Sequence, residues 1–231
     1  MVVLGAGLDA RTLRLANELT SSRASVWEVD HPASQAAKRL ALAQLLGEAQ
    51  PPEALRFLPV DFAQPGAAAA LAARLRDAGL DASKRTLITW EGVVMYLPEA
   101  AVNETLAVFP ALGGKGSLLV ITYFRRSYSD WLRRCVARWW DLRTWLHFMG
   151  VFFCLCRLYA GECVVHPGWD NEHEVAAALG PAWRVMWDAP PGIGADGTPQ
   201  PWAQPLSSYL SQLPASFGPP GGSRTLLAAL I

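Results

Sequence analysis

From its first residue the chain alternates short apolar runs with Ala- and Leu-rich stretches of helical period, and few folds accommodate that alternation. Strands are expected near Val2 to Leu4, Val26 to Val29, Arg56 to Val60, Thr86 to Trp90 and Ser117 to Thr122. Between them, Leu8, Thr12, Leu15 and Leu19 form one stripe of helical period, and Ala68, Leu71, Leu75 and Ala78 form another. Apolar strands separated by helices describe a parallel sheet covered on both faces. Punctuation agrees with the period: Pro32 and Pro98 stand where a first helical position belongs, and Gly79 and Gly113 follow the runs that end. After the fifth strand comes an Arg- and Trp-rich helical region, Arg125 to Arg157, and then Asp170 opens a short helix that ends at Gly180. Trp183 to Trp187 and Thr225 to Leu230, separated by a Pro/Gly-rich loop and a short helix near Leu206 to Leu213, are expected to close the sheet as an antiparallel ribbon. The reading is one α/β domain over 1–231, a doubly wound Rossmann-like sheet of seven mostly parallel strands with an antiparallel C-terminal strand. A helical lid insertion is expected at 125–160.

The composition supports a large core, with 52% hydrophobic and 17% charged residues. Twenty basic residues face twenty acidic ones, so no general affinity for nucleic acid is expected. Met1 leads straight into Val2, with no basic region and apolar stretch to form a leader. The most apolar later stretch, Leu146 to Cys156, contains His147 and lies between Arg143 and Arg157, too short for a span of about 20 residues. Membrane contact is therefore not expected. Cysteines at 135, 154, 156 and 163 match neither zinc spacing nor a disulfide scaffold, which points to reduced thiols and a cytoplasmic protein. The histidines at 31, 147, 166 and 173 offer no close ligand pair, and no metal is assigned.

Four positions carry the chemistry. Gly5-Ala6-Gly7-Leu8-Asp9-Ala10 joins the first strand to the first helix, where glycines allow a ligand to approach the backbone at a helix start. This motif also fits the GxGxxA form of a dinucleotide site. Asp30 ends the second strand about 20 residues later, where a carboxylate can accept from both hydroxyls of a ribose or can belong to the helix start at Pro32. Asp61 follows the third strand beside Phe62, at the edge of the sheet that converges on the ligand crevice; an adenine amine and an ordinary turn are its two readings. Glu91 is the sole formal charge between Leu87 and Leu97. A carboxylate there needs a partner, because burying it alone costs several kcal/mol. That partner is either the cationic end of a bound ligand or a neighbouring arginine.

The blocks GAGLDAR at 5–11, WEVDHPASQAAKR at 27–39, PVDF at 59–62 and WEGVVMYL at 90–97 resemble the leucine carboxyl methyltransferase-like family. They stand in family order, and the resemblance runs from Met1 to about Tyr123, weakening toward the end. It implies a class I methyltransferase with S-adenosyl-L-methionine as cofactor. By that resemblance Gly5 and Gly7 line the methionine part, Asp30 holds the ribose, Asp61 contacts the adenine with Phe62 beside it, and Glu91 faces the methionine moiety. The helical segment that family members carry before the first strand is not expected here, and Arg11 is expected to substitute in part for its grip on the cofactor's carboxylate.

The implied reaction is O-methylation of a carboxylate or hydroxyl, on a small molecule or a protein carboxylate. Its rate would come from holding donor and acceptor collinear in a dry pocket. A carboxylate acceptor is already ionised, so no general base is assigned; Tyr96 and Tyr123 are candidates for positioning, although both also suit the core. Two other functions stay open. A nicotinamide-dependent oxidoreductase would use the glycine motif and Asp30, but no Tyr-x-x-x-Lys occurs and Asp61 and Glu91 would have no task. A noncatalytic binding module derived from a methyltransferase is the other. In the Arg125 to Arg157 region seven arginines alternate with Trp131, Trp139, Trp140, Trp145, Phe148, Phe152 and Phe153, which suggests a lid over the acceptor pocket; a packed surface helix, a dimer contact and, less favoured, attachment to a membrane surface are the other readings.

Overall fold

The structure, a computed structural model, describes residues 1–47, 49–127, 130, 168–189 and 223–231. Seven strands form one sheet: β1 (Val2–Leu4), β2 (Val26–Asp30), β3 (Leu55–Pro59), β4 (Leu87–Trp90), β5 (Leu118–Phe124), β6 (Trp183–Ala189) and β7 (Ser223–Leu230). Their spatial order is β3-β2-β1-β4-β5-β7-β6. The first five pair in parallel, and β7 runs antiparallel to both β5 and β6. The chain moves outward from β1 to β3 and then returns to β4 on the other side of β1. The winding thus reverses between β1 and β4, and in such sheets the crevice beyond the carboxyl ends of those strands is where ligands bind.

Six α-helices are described: α1 (Arg11–Arg14), α2 (Ala16–Ser21), α3 (Pro32–Leu46), α4 (Ala67–Asp77), α5 (Glu99–Val108) and α6 (Glu172–Leu179). Helix α4 follows the expected stripe: Ala68 is buried, and Leu71 and Leu75 lie in the main core with Val102 and Leu106 of α5 and Ile88, Leu119 and Ile121 of the sheet. Pro32 occupies the first helical position of α3, where its missing N–H costs nothing, and His31 caps that end by accepting from the Ala33 N–H. Pro98 instead precedes α5 in an extended conformation and caps it, one residue before the expected place. In α6 the side chain of Asn171 accepts from the His173 and Glu174 N–H groups, so the cap lies one residue beyond Asp170.

The first stripe differs from expectation. A single helix bearing Leu8, Thr12, Leu15 and Leu19 on the sheet is replaced by two short ones that break at Leu15, the end of α1 and the cap of α2. Leu8 is 76% exposed and Leu15 41% exposed. Thr12 is the member of the stripe that is buried, and it uses its hydroxyl rather than its methyl, donating to Glu28 Oε1 at 3.1 Å. A polar anchor has set the helix where an apolar face was expected.

Beyond β5 the chain is pinned where it leaves the sheet and where it comes back. The Trp169 N–H donates to the Phe124 carbonyl at 3.3 Å, and Arg126 reaches both Asp170 and Glu174, at 3.3 and 2.7 Å. The lid read from 125–160, the short helix read at Leu206 to Leu213 and all four cysteines lie essentially outside the described residues. The far side of the sheet carries a buried cluster: Arg224 of β7 donates through Nε to both oxygens of Asp188 in β6, and Tyr123 of β5 donates its hydroxyl to the same carboxylate at 2.9 Å. Burial first, and then the neighbouring Asp188 carboxylate, pushes the Tyr123 phenol well above its ordinary value. Tyr123 is thereby a neutral donor in the core.

Candidate functional site

The glycine loop leaves β1 at the reversal point, and its two glycines have different reasons to be there. Gly5 has φ +69°, and a Cβ at that position would lie 2.1 Å from Val93 Cγ2. Its role is to let the loop after β1 press against the loop after β4. Gly7 has φ +44° with open space where a side chain would point, so a ligand can come up to the backbone there. The Gly5 N–H donates to the Val29 carbonyl at 2.7 Å, and the Gly7 N–H donates to Asp30 Oδ2 at 2.5 Å. Asp30 Oδ1 accepts from the His31 N–H at 2.6 Å. The Asp30 carboxylate therefore ties the glycine loop to the start of α3 while it remains half-exposed at the rim.

Asp61 is linked to Asp30 through His31, whose Nε2 lies 3.8 Å from Asp61 Oδ2. Asp61 also closes its own turn, accepting from the Ala63 N–H at 3.0 Å and from Gln64 Nε2 at 3.2 Å. Phe62, 6% exposed, is packed in the core under this turn. The carboxylates that end β2 and follow β3 thus share one stretch of rim.

Glu91 finds the partner it needs in the chain itself. Its Oε2 stands 2.6 Å from Arg11 Nη1, and both side chains are 35% exposed. Arg11 is held from the other side by Asp9, which accepts from the Arg11 backbone N–H at 2.7 Å and from Nε at 2.6 Å. Burial disfavours both charged forms, but the contacts with each other outweigh it: the Asp9 carboxyl lies below its ordinary range and the Arg11 guanidinium above its own. The loop bearing Glu91 is fixed from β5, where Thr122 Oγ1 accepts from the Gly92 N–H at 2.7 Å. The structure therefore brings Gly5, Gly7, Arg11, Asp30 and Glu91 to the crest of β1, β2 and β4, with Asp61 next to them beyond β3. Phe62 lies beneath.

Glu28, Lys38 and Gln35 at the crest's base carry no role expected from the sequence, and Thr12 was expected only as part of a helical stripe. Glu28 (1% exposed) and Lys38 (5% exposed) form an ion pair at 2.5 Å, and Lys38 Nζ also donates to the Asp9 carbonyl at 2.7 Å. Gln35 donates through Nε2 to the carbonyls of Glu28 and Leu58, at 2.7 and 3.0 Å, and so joins β2 to β3. Thr12 completes the set. The available signal was an acid at a central position of an apolar strand followed ten residues later by a lysine on the helix that covers it.

Fold and crest together define a doubly wound α/β protein with its polar rim at the topological switch point. Residues 1–109 match the profile of the leucine carboxyl methyltransferase family, so the likeness carried by the four motif blocks holds over that span. A proposed S-adenosyl-L-methionine-dependent methyltransferase of Mycolicibacterium smegmatis is 35% identical over 186 residues, covering 78% of this chain and 58% of the relative. A second of that description, from Mycolicibacterium gilvum, is 37% identical over 123 residues, covering 53% of this chain and 37% of its own length. A third, from Mycobacterium avium, is 30% identical and covers 73% of this chain and 54% of the relative. The chain spans about half the length of these relatives. Among solved structures, that of PKMT2 from Rickettsia typhi covers 99% of this chain and 48% of its own at a TM-score of 0.58 and 10% identity, a likeness of fold. Among the described residues no helix is long and apolar enough to cross a membrane.

Proposed function

We propose that the chain is an S-adenosyl-L-methionine-dependent methyltransferase, in one domain over 1–231, that methylates a carboxylate or hydroxyl oxygen. The observation that carries the reading is the Arg11–Glu91 pair, 2.6 Å apart and half-exposed at the switch point. An amino-acid end carries a carboxylate and an ammonium side by side, the complement of such a pair. In this reading Arg11 meets the carboxylate and Glu91 the ammonium of the methionine moiety. Asp30 accepts from the ribose hydroxyls with the lone pairs that Gly7 and His31 leave free. Asp61, beside Phe62, takes the adenine amine, and Gly5 and Gly7 keep side chains away from the ligand. The relatives named as methyltransferases of this cofactor support the same reading.

The bound cofactor would supply an electrophilic methyl group on a sulfonium. What the chain supplies is position. Arg11 and Glu91 would hold the amino-acid end and Asp30 the sugar, so that the donor is kept in one orientation while an acceptor oxygen approaches. A carboxylate acceptor would attack in its ionised form and give up no proton, so it asks no base of the crest, whereas a hydroxyl acceptor would have to pass its proton to solvent. Tyr123, neutral and bonded to Asp188, has no part in proton transfer.

The experiment is transfer of a labelled methyl group from the cofactor to small carboxylic acids, phenols and peptides with free C-terminal carboxylates. Label in a product that releases methanol in mild base identifies an ester and a carboxylate acceptor. Base-stable label that mass-spectrometric fragmentation places on the acceptor's oxygen identifies an ether. Label recovered on carbon or nitrogen would contradict O-methylation.

A further inference from the structure

The buried Glu28–Lys38 pair is not explained by the stability of the core. Two charges taken from water cost several kcal/mol each, and an apolar pair of like volume generally serves a core as well. What distinguishes this pair is where its remaining hydrogen bonds go. Glu28 Oε1 accepts from Thr12, the residue after Arg11, and Lys38 Nζ donates to the carbonyl of Asp9, two residues before it. The Asp9 carboxylate then holds the Arg11 N–H and Nε, and Arg11 reaches Glu91. Both backbone segments that flank Arg11 are thus fastened to one ion pair at the floor of the crest, and Gln35, one turn before Lys38 on α3, holds the backbone of Glu28 and of β3 in place.

We propose that Glu28 and Lys38 are positioning residues that set the place of Arg11, and through it the recognition of the ligand's carboxylate. The inference rests on the cofactor reading given above for its functional half, while its structural half stands on the geometry alone. Lys38 supplies a contact that an apolar residue cannot replace, because its ammonium is the donor to the Asp9 carbonyl. Glu28 keeps that ammonium neutralised, and its second oxygen draws Thr12 and the start of α1 down onto β2.

Replacing either residue alone strands a buried charge and threatens the fold, so the test uses E28Q together with K38M, which removes both charges at nearly constant volume. Three quantities are read on the full chain: the thermal melt, the exchange rate of the Arg11 backbone amide without ligand, and the affinity for S-adenosylhomocysteine. The expected result is a cooperative melt, Arg11 exchange faster by about tenfold with the Leu75 amide of α4 unchanged, and affinity weaker by about tenfold. In an R11M background the double substitution should weaken binding no further, since coupled residues are not additive. Unchanged Arg11 exchange, or a loss of affinity that adds in full to that of R11M, overturns the proposal. If the unsubstituted chain binds no S-adenosylhomocysteine while Arg11 exchange still responds, the cofactor reading fails and the coupling of the pair to Arg11 stands.

Discussion

Asp30 performs two tasks with one carboxylate, and substitution separates them. The Asp30→Ala change removes the acceptor for the Gly7 and His31 N–H groups as well as the one proposed for the ribose. Affinity for S-adenosylhomocysteine should fall by about 1–3 kcal/mol in calorimetry while the circular dichroism spectrum is kept, the usual cost of losing charge-assisted hydrogen bonds. Unchanged affinity removes Asp30 from the site. Asp9 makes a prediction in pH. Its carboxyl is held below the ordinary value of 3.8 in the fold, burial opposing and the Arg11 bonds prevailing. Such a group stabilises fully above its unfolded value, and the contribution is lost as pH falls through the lower folded one. Urea unfolding of the parent and of Asp9→Asn should therefore differ by a constant amount above about pH 5 and converge as the solution is acidified below 3.8. A difference that grows on acidification contradicts the clamp. At this scale the sequence was partly legible: Asp30, Asp61 and Glu91 stood out as acids after apolar strands. The partner of Glu91 did not, because the sequence could not say that the loop after β1 turns Arg11 back toward β4.

Among elements, the antiparallel ribbon depends on the cluster of Asp188, Arg224 and Tyr123. Asp188 is almost wholly buried and Arg224 nearly so. Removing one partner of a buried pair leaves the other uncompensated, at about 3–5 kcal/mol. Asp188→Ala should lower the urea midpoint accordingly, with an unchanged slope if the loss is confined to the native state. Tyr123→Phe should cost about 1 kcal/mol near neutral pH, the net worth of one hydrogen bond. The phenol is raised in the fold, so its contribution is complete below its ordinary value near 10 and declines as pH rises above it. The substituted protein should accordingly lose less stability between pH 9 and 11 than the parent, on the order of a pH unit's worth of titration. The seven strands were readable because each carries a short run dominated by apolar side chains between helical stretches or loops. The split of α1 from α2 was not, since Leu8, Thr12, Leu15 and Leu19 keep helical spacing although only part of that stripe meets the sheet. Period reports which residues could share a face, and a buried hydroxyl bonded to Glu28 decided which of them does.

On the scale of the whole molecule, the order β3-β2-β1-β4-β5-β7-β6 places the carboxyl ends of β1 and β4 side by side at the point where the winding reverses. That adjacency sets the glycines and Arg11 after β1 beside Glu91 after β4, and β2 and β3, next in order, bring Asp30 and Asp61 to the same rim. The ligand proposed for this crest is a nucleoside bearing an amino-acid end. Calorimetry of the full chain against S-adenosylmethionine, S-adenosylhomocysteine and NAD tests it most directly, because all three carry adenosine and only the first two carry the carboxylate and ammonium that Arg11 and Glu91 are proposed to hold. Saturable heat at one site per chain is expected from both sulfur nucleosides, abolished by Glu91→Gln with Arg11→Met, and none from NAD. Binding of NAD with no response to either sulfur nucleoside would contradict it.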